Sequence, residues 1–284
     1  MKPVLILGAG INGAAVAREL ALNRIPVCIV DKSDVASGAT SRSSRLIHGG
    51  LRYLEYRDIA LVKESLAERE ELLRTAPQFV TPLTLAIPVA SYSGGLWQAF
   101  QRFSGLPTTG AAQSRRRGLA AVRTGLTIYD WLARKSFESP TTGLRPHRVE
   151  RFEQGDSLPA FDRRSARWVC SYSDAQILWP ERFVIALLQD GLAAAQQSGE
   201  LFEVLPYHSA SVHQGMVQLQ SQSSNATREF EASLVINATG ASGDRTLLEA
   251  GATTSRLFSG TKGSHLFSTY APLKNALRSQ GVYA

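Results

Sequence analysis

Short, uninterrupted runs of apolar residues mark the strands that this sequence predicts near its N-terminus. Val4–Leu7 and residues 26–30 contain no charged side chain, and a glycine follows the first run. Strands that are buried on both faces of a parallel sheet show such runs, whereas half-exposed strands alternate apolar and polar positions. A helix carrying small residues is predicted between the two runs, from residue 12 to about residue 23. This order predicts a strand–helix–strand unit.

Helical periodicity and turn residues predict the elements that follow. Asp58 is placed to cap a helix whose apolar residues lie at helical spacing and which ends before Pro77. Pro180 stands in the first turn of another helix, and Gly199 follows its last turn. Shorter helices are predicted near residues 96–103 and 125–137, and strands at 83–89, 201–205, 210–220 and 228–237.

Residues 90–165 differ in character from the sequence on either side. Glycines, prolines and the run Arg115-Arg116-Arg117 interrupt the apolar periodicity, which is typical of an inserted domain or cap. We therefore predict the α/β fold class, with a Rossmann-like domain around a parallel sheet at residues 1–80 and 165–255. Residues 81–164 and 256–284 are predicted to form a second domain of α+β type that contributes to a substrate site.

A glycine pattern lies between the first predicted strand and its helix. Gly8, Gly10 and Gly13 have the GxGxxG spacing. Glycines there allow a tight turn and let the backbone approach a pyrophosphate, which then faces the N-terminus of the helix. Asp31 ends the second strand, where an acid binds ribose hydroxyls. The strand, glycines, helix, strand and acid together predict a dinucleotide site.

Residues 37–50 favour FAD over NAD as the dinucleotide. They form a long run of small and hydroxylic residues directly after the acid, where an NAD domain usually returns to a helix. Small residues let the backbone reach the ribityl chain and the flavin ring, and hydroxyls bind phosphates. A solvated serine-rich loop is the alternative. Asn237-Ala-Thr-Gly240, after another apolar run, is consistent with a return of the chain to the same cofactor.

Charge and cysteine content limit the remaining classes. The net charge of +7 favours anionic ligands or surfaces. Arg115-Arg116-Arg117 has few aromatic neighbours, so no nucleic acid partner is predicted. The remaining interpretations of this basic run are a solvated loop and a contact with anionic lipid. The two cysteines form no CxxC pair or Cys/His cluster, so no metal site is predicted and a reducing cytoplasm fits best. No apolar run is long enough to cross a bilayer.

Residues 46–55, Leu-Ile-His-Gly-Gly-Leu-Arg-Tyr-Leu-Glu, carry a more specific pattern than the glycines. Together with Ala67-Glu-Arg-Glu70, Tyr172-Ser-Asp174 and Lys262-Gly-Ser-His265, they resemble the FAD-dependent glycerol-3-phosphate dehydrogenases. The resemblance is dense over residues 1–80 and patchy to about residue 268. It implies oxidation of glycerol 3-phosphate at C2 to dihydroxyacetone phosphate, with hydride passing to flavin N5 and electrons passing to a quinone. It also implies a peripheral position on the inner face of the cytoplasmic membrane.

The resemblance and the motifs together give a set of expected site residues. Arg52 is expected to bind the substrate phosphate with Tyr53 beside it, and His265 is a further substrate-binding candidate. His48 is the candidate base, although a structural histidine fits as well, and Lys262 is a second catalytic candidate, with a solvated strand-end residue as its alternative. The expected cofactor-binding residues are Gly8, Gly10, Ile11, Asn12, Gly13, Asp31, Lys32, Thr40, Ser41, Ser43, Ser44, His48, Gly50, Leu51, Val204, Ala238, Thr239 and Gly240.

Departures from the family pattern leave other functions open. Trp179-Pro180 stands where the family usually has an acidic pair, which is closer to the wider class of amine and 2-hydroxy-acid oxidases. Family chains also continue well past residue 284, so we expect a C-terminally truncated chain with an incomplete second domain. The alternatives are therefore an amine or 2-hydroxy-acid oxidase, and an inactive remnant or interaction module.

Overall fold

The computed structural model describes residues 1–92, 118–152, 166–213, 216–252, 255–257, 263–266 and 268–282. The chain divides into two compact units. Unit 1 consists of Met1–Ser44 and Trp179–Leu266, and unit 2 consists of Arg45–Leu178 and Phe267–Ala284. Each unit has its own sheet and its own hydrophobic core.

The elements below are numbered in chain order over the described residues. The helices are α1 (Ile11–Leu22), α2 (Ile59–Thr75), α3 (Leu119–Glu138), α4 (Pro180–Ser198), α5 (Gly243–Glu249) and α6 (Ala271–Leu277), with 3₁₀ turns at Leu51–Tyr56 and Gly240–Ser242. The strands are β1 (Val4–Leu7), β2 (Val27–Asp31), β3 (Leu46–Ile47), β4 (Val80–Val89), β5 (Arg148–Arg151), β6 (Trp168–Ile177), β7 (Phe202–Pro206), β8 (His208–His213), β9 (Met216–Ser221), β10 (Thr227–Phe230), β11 (Leu234–Asn237) and β12 (Gly281–Val282).

A parallel sheet organises unit 1. Its strand order is β11-β1-β2-β7, and Leu7 at the end of β1 pairs with Val30 of β2 and with Asn237 of β11. The carboxyl ends of these three strands therefore meet at one edge. The chain moves from β1 to β2 in one direction and places β11 on the opposite side, so the strand order reverses between β1 and β11. Ligands of open α/β sheets bind at such a reversal.

Both faces of this sheet are covered, which explains the continuous apolar runs of β1 and β2. Helices α1 and α4 cover one face, and the antiparallel sheet β10-β9-β8 covers the other. The first core contains Val4, Ile6, Ala14, Ala17, Val27, Ile29, Val184 and Leu188, and the second contains Leu5, Leu7, Cys28, Val30, Val217, Leu219 and Phe230. Alternate residues of each strand thus enter different cores.

Cys28, in the second of these cores, predicts how stability changes at high pH. Burial raises the pKa of its thiol from 9.0 to about 12, and the nearby Glu203 carboxylate adds to this effect. As the pH rises, the thiol loses its proton in the unfolded chain before it does so in the folded chain. The contribution of the Cys28 thiol to the free energy of unfolding is therefore complete below about pH 9 and is lost as the pH rises toward 12. We expect Cys28→Ala to show a decline in unfolding free energy above pH 9 that is shallower by up to about 1.4 kcal/mol per pH unit. Urea unfolding at pH 8, 9, 10 and 10.5 measures this difference; parallel declines for variant and wild type would contradict it.

Unit 2 is built on an antiparallel pair that runs the length of its sheet. Strands β4 and β6 pair from Val80 with Ile177 to Val89 with Trp168, β5 and β3 pair with β6, and β12 pairs with β4 in parallel. Helices α2 and α3 share a hydrophobic core with β4 and β6. Asp58 caps α2 as predicted, because its side chain accepts a hydrogen bond from the Leu61 amide.

The fold class predicted from the sequence is confirmed, while several element predictions are wrong. The predicted strand 210–220 is the hairpin β8–β9, and 228–237 contains β10 and β11, which belong to different sheets. Strand β6 was not predicted. The helix predicted at 96–103 lies outside the described residues. Residues 45–80 and 166–178, which the sequence led us to group with the Rossmann-like domain, belong to unit 2, because α2 and β6 pack with α3 and β4.

Candidate functional site

The glycines of unit 1 occupy a turn where backbone segments are in contact. Gly8 follows β1 with a φ of +102°, a conformation that side chains rarely adopt, and an added Cβ would lie 2.6 Å from the Ala238 carbonyl oxygen. A Cβ on Gly13 would lie 1.9 Å from the Gly8 carbonyl oxygen. The turn, the start of α1 and the exit from β11 are thus held together by positions without side chains.

The N-terminus of α1 opens beside this turn. The preceding residue, Gly10, supplies no side-chain cap, and the first turn of the helix contains no acidic residue. The Ile11 amide donates to the Thr40 hydroxyl over 3.1 Å, and a Cβ on Gly10 would meet that hydroxyl at 3.3 Å. Free amides and the helix dipole favour an anion at this position. Thr40 adds a hydroxyl that can bind the same anion.

Asp31 links the end of β2 to the same turn. Its Oδ2 accepts a hydrogen bond from the Ala9 amide over 2.8 Å, and its Oδ1 accepts one from the Ser33 amide over 2.9 Å. A carboxylate has about four acceptor positions, so two are left for ribose hydroxyls. Lys32, the next residue, is exposed.

Residues that follow β11 complete the edge of the sheet. The Ala238 amide donates to the Leu7 carbonyl oxygen over 2.8 Å, and the Thr239 hydroxyl donates to Asn237 Oδ1 over 2.7 Å. The short turn that begins at Gly240 then leads into α5. The structure therefore brings Gly8, Asp31, Thr40 and Ala238 together at the point where the strand order reverses.

This edge fits the pyrophosphate and the adenosine ribose of FAD. The turn has no room for a Cβ at Gly8 or Gly13, the first turn of α1 has neither a side-chain cap from Gly10 nor an acidic residue, and a carboxylate stands at the end of β2. Of the other predicted residues of unit 1, Ser41 donates to the carbonyl oxygens of Ser37 and Gly38, and Ser43 and Ser44 are exposed. Val204 pairs with Ile29 within the sheet.

The predicted substrate residues of unit 2 follow strand β3. His48 and Arg52 are exposed, Leu51 opens the 3₁₀ turn, and the Tyr53 ring lies 6.2 Å from the His48 ring between centroids. These exposed positions leave the imidazole and the guanidinium accessible to a ligand. His265 is exposed in an irregular segment of unit 1. Lys262 and Arg115-Arg116-Arg117 lie outside the described residues.

A buried polar cluster behind the His48–Arg52 segment was missed by the sequence analysis. Asp174 Oδ1 accepts hydrogen bonds from the Gly49 amide over 2.8 Å, from the Tyr129 hydroxyl over 2.8 Å and from Arg69 Nη1 over 2.7 Å. The sequence of α2 contained an indication of this cluster. The buried residues of the helix are Val62, Leu66, Arg69 and Leu73, and only one of them is charged. An arginine in an apolar helical stripe predicts a buried partner.

Two further properties concern metals and membranes. Across the described ranges, no cluster of His, Cys, Asp or Glu side chains has the composition to hold a metal ion. No helix in this part of the chain combines the length and apolar character needed to cross a bilayer.

The sequence of this chain matches a known protein family. Residues 3–283 match the family described as FAD dependent oxidoreductase. A glycerol-3-phosphate dehydrogenase from Synechocystis sp. is 36% identical over 179 residues, covering 63% of this chain and 28% of the relative. A D-erythritol 1-phosphate dehydrogenase from Brucella abortus is 30% identical over 266 residues, covering 93% of this chain and 46% of the relative. The chain therefore spans less than half the length of either relative.

The fold is also similar to that of a solved structure. The glycerol-3-phosphate dehydrogenase from Bacillus halodurans, complexed with FAD, matches with a TM-score of 0.51 at 16% sequence identity. The match covers 88% of this chain and 36% of that protein. At this identity the similarity concerns the fold alone.

Proposed function

The chain belongs to the FAD dependent oxidoreductase family, and from this premise we propose that it takes part in oxidising sn-glycerol 3-phosphate to dihydroxyacetone phosphate. The observation that carries the proposal is the exposed Arg52 on the segment His48-Gly-Gly-Leu-Arg52, which a buried carboxylate anchors at Gly49. An accessible guanidinium on an anchored segment suits a phosphate dianion. The resemblance of this segment to the glycerol-3-phosphate dehydrogenases, and the names of the relatives, support the same substrate.

The residues at the edge of the unit 1 sheet are those that would hold FAD. The amides of α1 and the Thr40 hydroxyl would bind the pyrophosphate, and Asp31 would accept hydrogen bonds from the ribose hydroxyls. When bound, FAD supplies the acceptor for the hydride that leaves C2 of the substrate. Gly8 and Gly13 act by letting the turn pack against Ala238 and the start of α1 pack against the turn, which sets the position of the α1 amides.

Side chains of unit 2 act on the substrate. Arg52 binds two oxygens of the phosphate through parallel N–H donors, which fixes the orientation of the carbon chain. The Tyr53 ring lies beside the His48 ring. His48 accepts the proton that the C2 hydroxyl loses as the hydride departs, so the alcohol becomes a ketone by loss of one hydride, which carries two electrons, and one proton.

A second phosphorylated polyol is also supported by a specific observation. The D-erythritol 1-phosphate dehydrogenase matches 93% of this chain, a larger share than the Synechocystis glycerol-3-phosphate dehydrogenase. Both substrates combine a phosphate with a neighbouring alcohol, so Arg52 and His48 would act in the same way on either. A quinone as the electron acceptor and contact with the inner face of the cytoplasmic membrane rest on the family resemblance and are proposed with it.

One spectroscopic experiment tests the proposal. The purified chain is examined for flavin absorbance, and glycerol 3-phosphate or D-erythritol 1-phosphate is then added without oxygen. Bleaching of the flavin bands by glycerol 3-phosphate supports the proposal, and bleaching by D-erythritol 1-phosphate alone replaces the substrate. Flavin bands that neither compound changes would contradict the substrate assignment, and reduction by an amino acid instead would favour an amine oxidase.

Arg52→Gln is expected to raise the KM for glycerol 3-phosphate about 10- to 100-fold, because charged hydrogen bonds of about 1.5–3 kcal/mol are lost. The flavin content should not change, since the FAD residues of unit 1 are unaltered. Steady-state kinetics with an artificial electron acceptor measure the change. Arg134→Gln, at an exposed arginine of α3, is the matched control and should keep the wild-type KM. Equal KM values for both variants would remove Arg52 from the phosphate site.

A further inference from the structure

The buried cluster of unit 2 joins three elements to one carboxylate oxygen. Arg69 comes from α2, Tyr129 from α3 and Asp174 from β6, and the arginine and aspartate side chains are 0% and 1% exposed. Arg69 Nη1 donates to Tyr129 Oη over 2.9 Å and to the Ser173 carbonyl oxygen over 3.1 Å, in addition to Asp174. The charges of Arg69 and Asp174 therefore neutralise each other inside an apolar core.

Stability alone does not account for this cluster. Removing two charges from water costs much of what their attraction returns, and well-packed apolar residues of similar volume often stabilise a core as well or better. Within the described residues, Arg69 Nε and Nη2 are buried and have no hydrogen-bond partner. Stability alone therefore does not explain the ion pair, and the contacts of Asp174 with the backbone indicate a second role.

What the cluster holds is the backbone of the His48–Arg52 segment. Asp174 accepts a hydrogen bond from the Gly49 amide, which lies 125 residues away in sequence. A Cβ on Gly49 would lie 2.1 Å from Tyr129 Oη and 2.4 Å from Leu66 Cδ2, so the backbone is pressed directly against the cluster. His48 precedes this anchored residue, and Arg52 follows three residues later.

We propose that Arg69, Asp174 and Tyr129 are positioning residues that hold the backbone at Gly49, and through it place His48 and Arg52 for the substrate. This inference rests on the proposed function and adds to it a supporting layer of residues that touch neither substrate nor cofactor. Arg69 and Tyr129 orient the Asp174 carboxylate, and Asp174 Oδ1 fixes the Gly49 amide.

The protonation state of Tyr129 agrees with this arrangement. Burial raises the pKa of its hydroxyl well above the usual value, and the Asp174 charge adds to the effect. The hydroxyl therefore keeps its proton and donates it to Asp174, while its oxygen accepts from Arg69. The hydrogen bonds of the cluster thus run from Arg69 through Tyr129 to Asp174.

Two double variants separate positioning from simple packing. Arg69→Met with Asp174→Asn removes both charges and keeps a carbonyl oxygen for the Gly49 amide. Arg69→Met with Asp174→Leu removes both charges and the acceptor. Neither leaves an unpaired buried charge, so both are expected to fold and to hold FAD at the wild-type level. The two differ in the acceptor at position 174, which serves both the Gly49 amide and the Tyr129 hydroxyl.

The expected result is a difference in activity without a difference in flavin content. The asparagine variant keeps an acceptor for Gly49 but loses the arginine that orients it, so kcat/KM for glycerol 3-phosphate should fall about 10-fold, whereas the leucine variant should lose about 100-fold. Hydrogen exchange in a peptide covering residues 46–56, followed by mass spectrometry, should be faster in the leucine variant alone. Tyr129→Phe should fall between wild type and the asparagine variant, because it removes one of the two side-chain donors to Asp174 and keeps Arg69 and the carboxylate.

The measurements of activity and of hydrogen exchange also distinguish a failure of this inference from a failure of the proposed function. If the wild-type chain does not oxidise glycerol 3-phosphate, the substrate assignment fails, and hydrogen exchange alone decides whether the cluster holds the segment. Equal exchange in the two double variants overturns the inference. Faster exchange in the leucine variant with unchanged activity also overturns it, since the anchored backbone would then have no bearing on the substrate.

Discussion

Replacing Gly13 with alanine should leave the purified chain without bound flavin. The added Cβ would lie 1.9 Å from the Gly8 carbonyl oxygen, which is backbone and cannot rotate away as a side chain can. Relief of the overlap requires α1 to move away from the turn, and this removes the amides from the pyrophosphate site. We expect a loss of unfolding free energy of about 3 kcal/mol or more in unit 1. Flavin absorbance after gel filtration and urea unfolding measure the two effects.

Gly125→Ala is the matched control for this substitution. Gly125 also lies within a helix, α3, but a Cβ there would meet no atom within 4 Å. Alanine is the better helix former by about 1 kcal/mol, so this variant should be slightly more stable than wild type and keep its flavin. If Gly13→Ala retains stoichiometric flavin, then the turn after β1 does not form the cofactor site that the geometry indicates.

The single substitution Asp174→Asn is expected to destabilise unit 2 by about 3–5 kcal/mol, because it leaves the charge of Arg69 buried without its counterion. The side chain keeps its shape, so the effect would report charge and not packing. Adding Arg69→Met should recover most of the lost stability, since the uncompensated cation is then absent. Chemical unfolding of both variants, followed by tryptophan fluorescence, gives the two free energies.

An exposed ion pair provides the comparison for Asp174. Asp190 pairs with Arg18 in unit 1, and its side chain is 53% exposed. Asp190→Asn should cost less than about 1 kcal/mol, because solvent screens exposed pairs. A similar small cost for Asp174→Asn would show that the buried pair contributes little.

Local sequence patterns predicted the elements whose signals are local. Val4–Leu7 begins and ends where predicted, Asp58 caps α2, and α4 begins at Pro180 and is followed by Gly199 with a φ of +73°. Strand β6 was missed because polar residues interrupt its apolar pattern. Asp174 is tolerated in this central strand because Gly49, Tyr129 and Arg69 satisfy its carboxylate from distant parts of the chain. No window of neighbouring residues contains those partners.

In the candidate site, too, local features could be predicted from the sequence and contacts between distant residues could not. The glycine spacing and Asp31 were readable from the sequence because their chemistry follows from the order of strand, turn and helix. The contact of Gly8 with Ala238 and the bond between the Ile11 amide and Thr40 depend on how the sheet assembles. The anchoring of Gly49 depends on packing between α2, α3 and β6, which only the folded unit shows.

The pairing of β1 with β11 also has a consequence during synthesis of the chain. Leu7 pairs with Asn237, so the ribosome must add 230 residues before the two strands can meet. At typical elongation rates of 5–20 residues per second, β1 waits roughly 10 to 50 s for this partner. Most of unit 2, Arg45–Leu178, emerges within that interval and can fold first. Strand β1 can pair with β2 during that interval, while its other edge has no partner until β11 has been made.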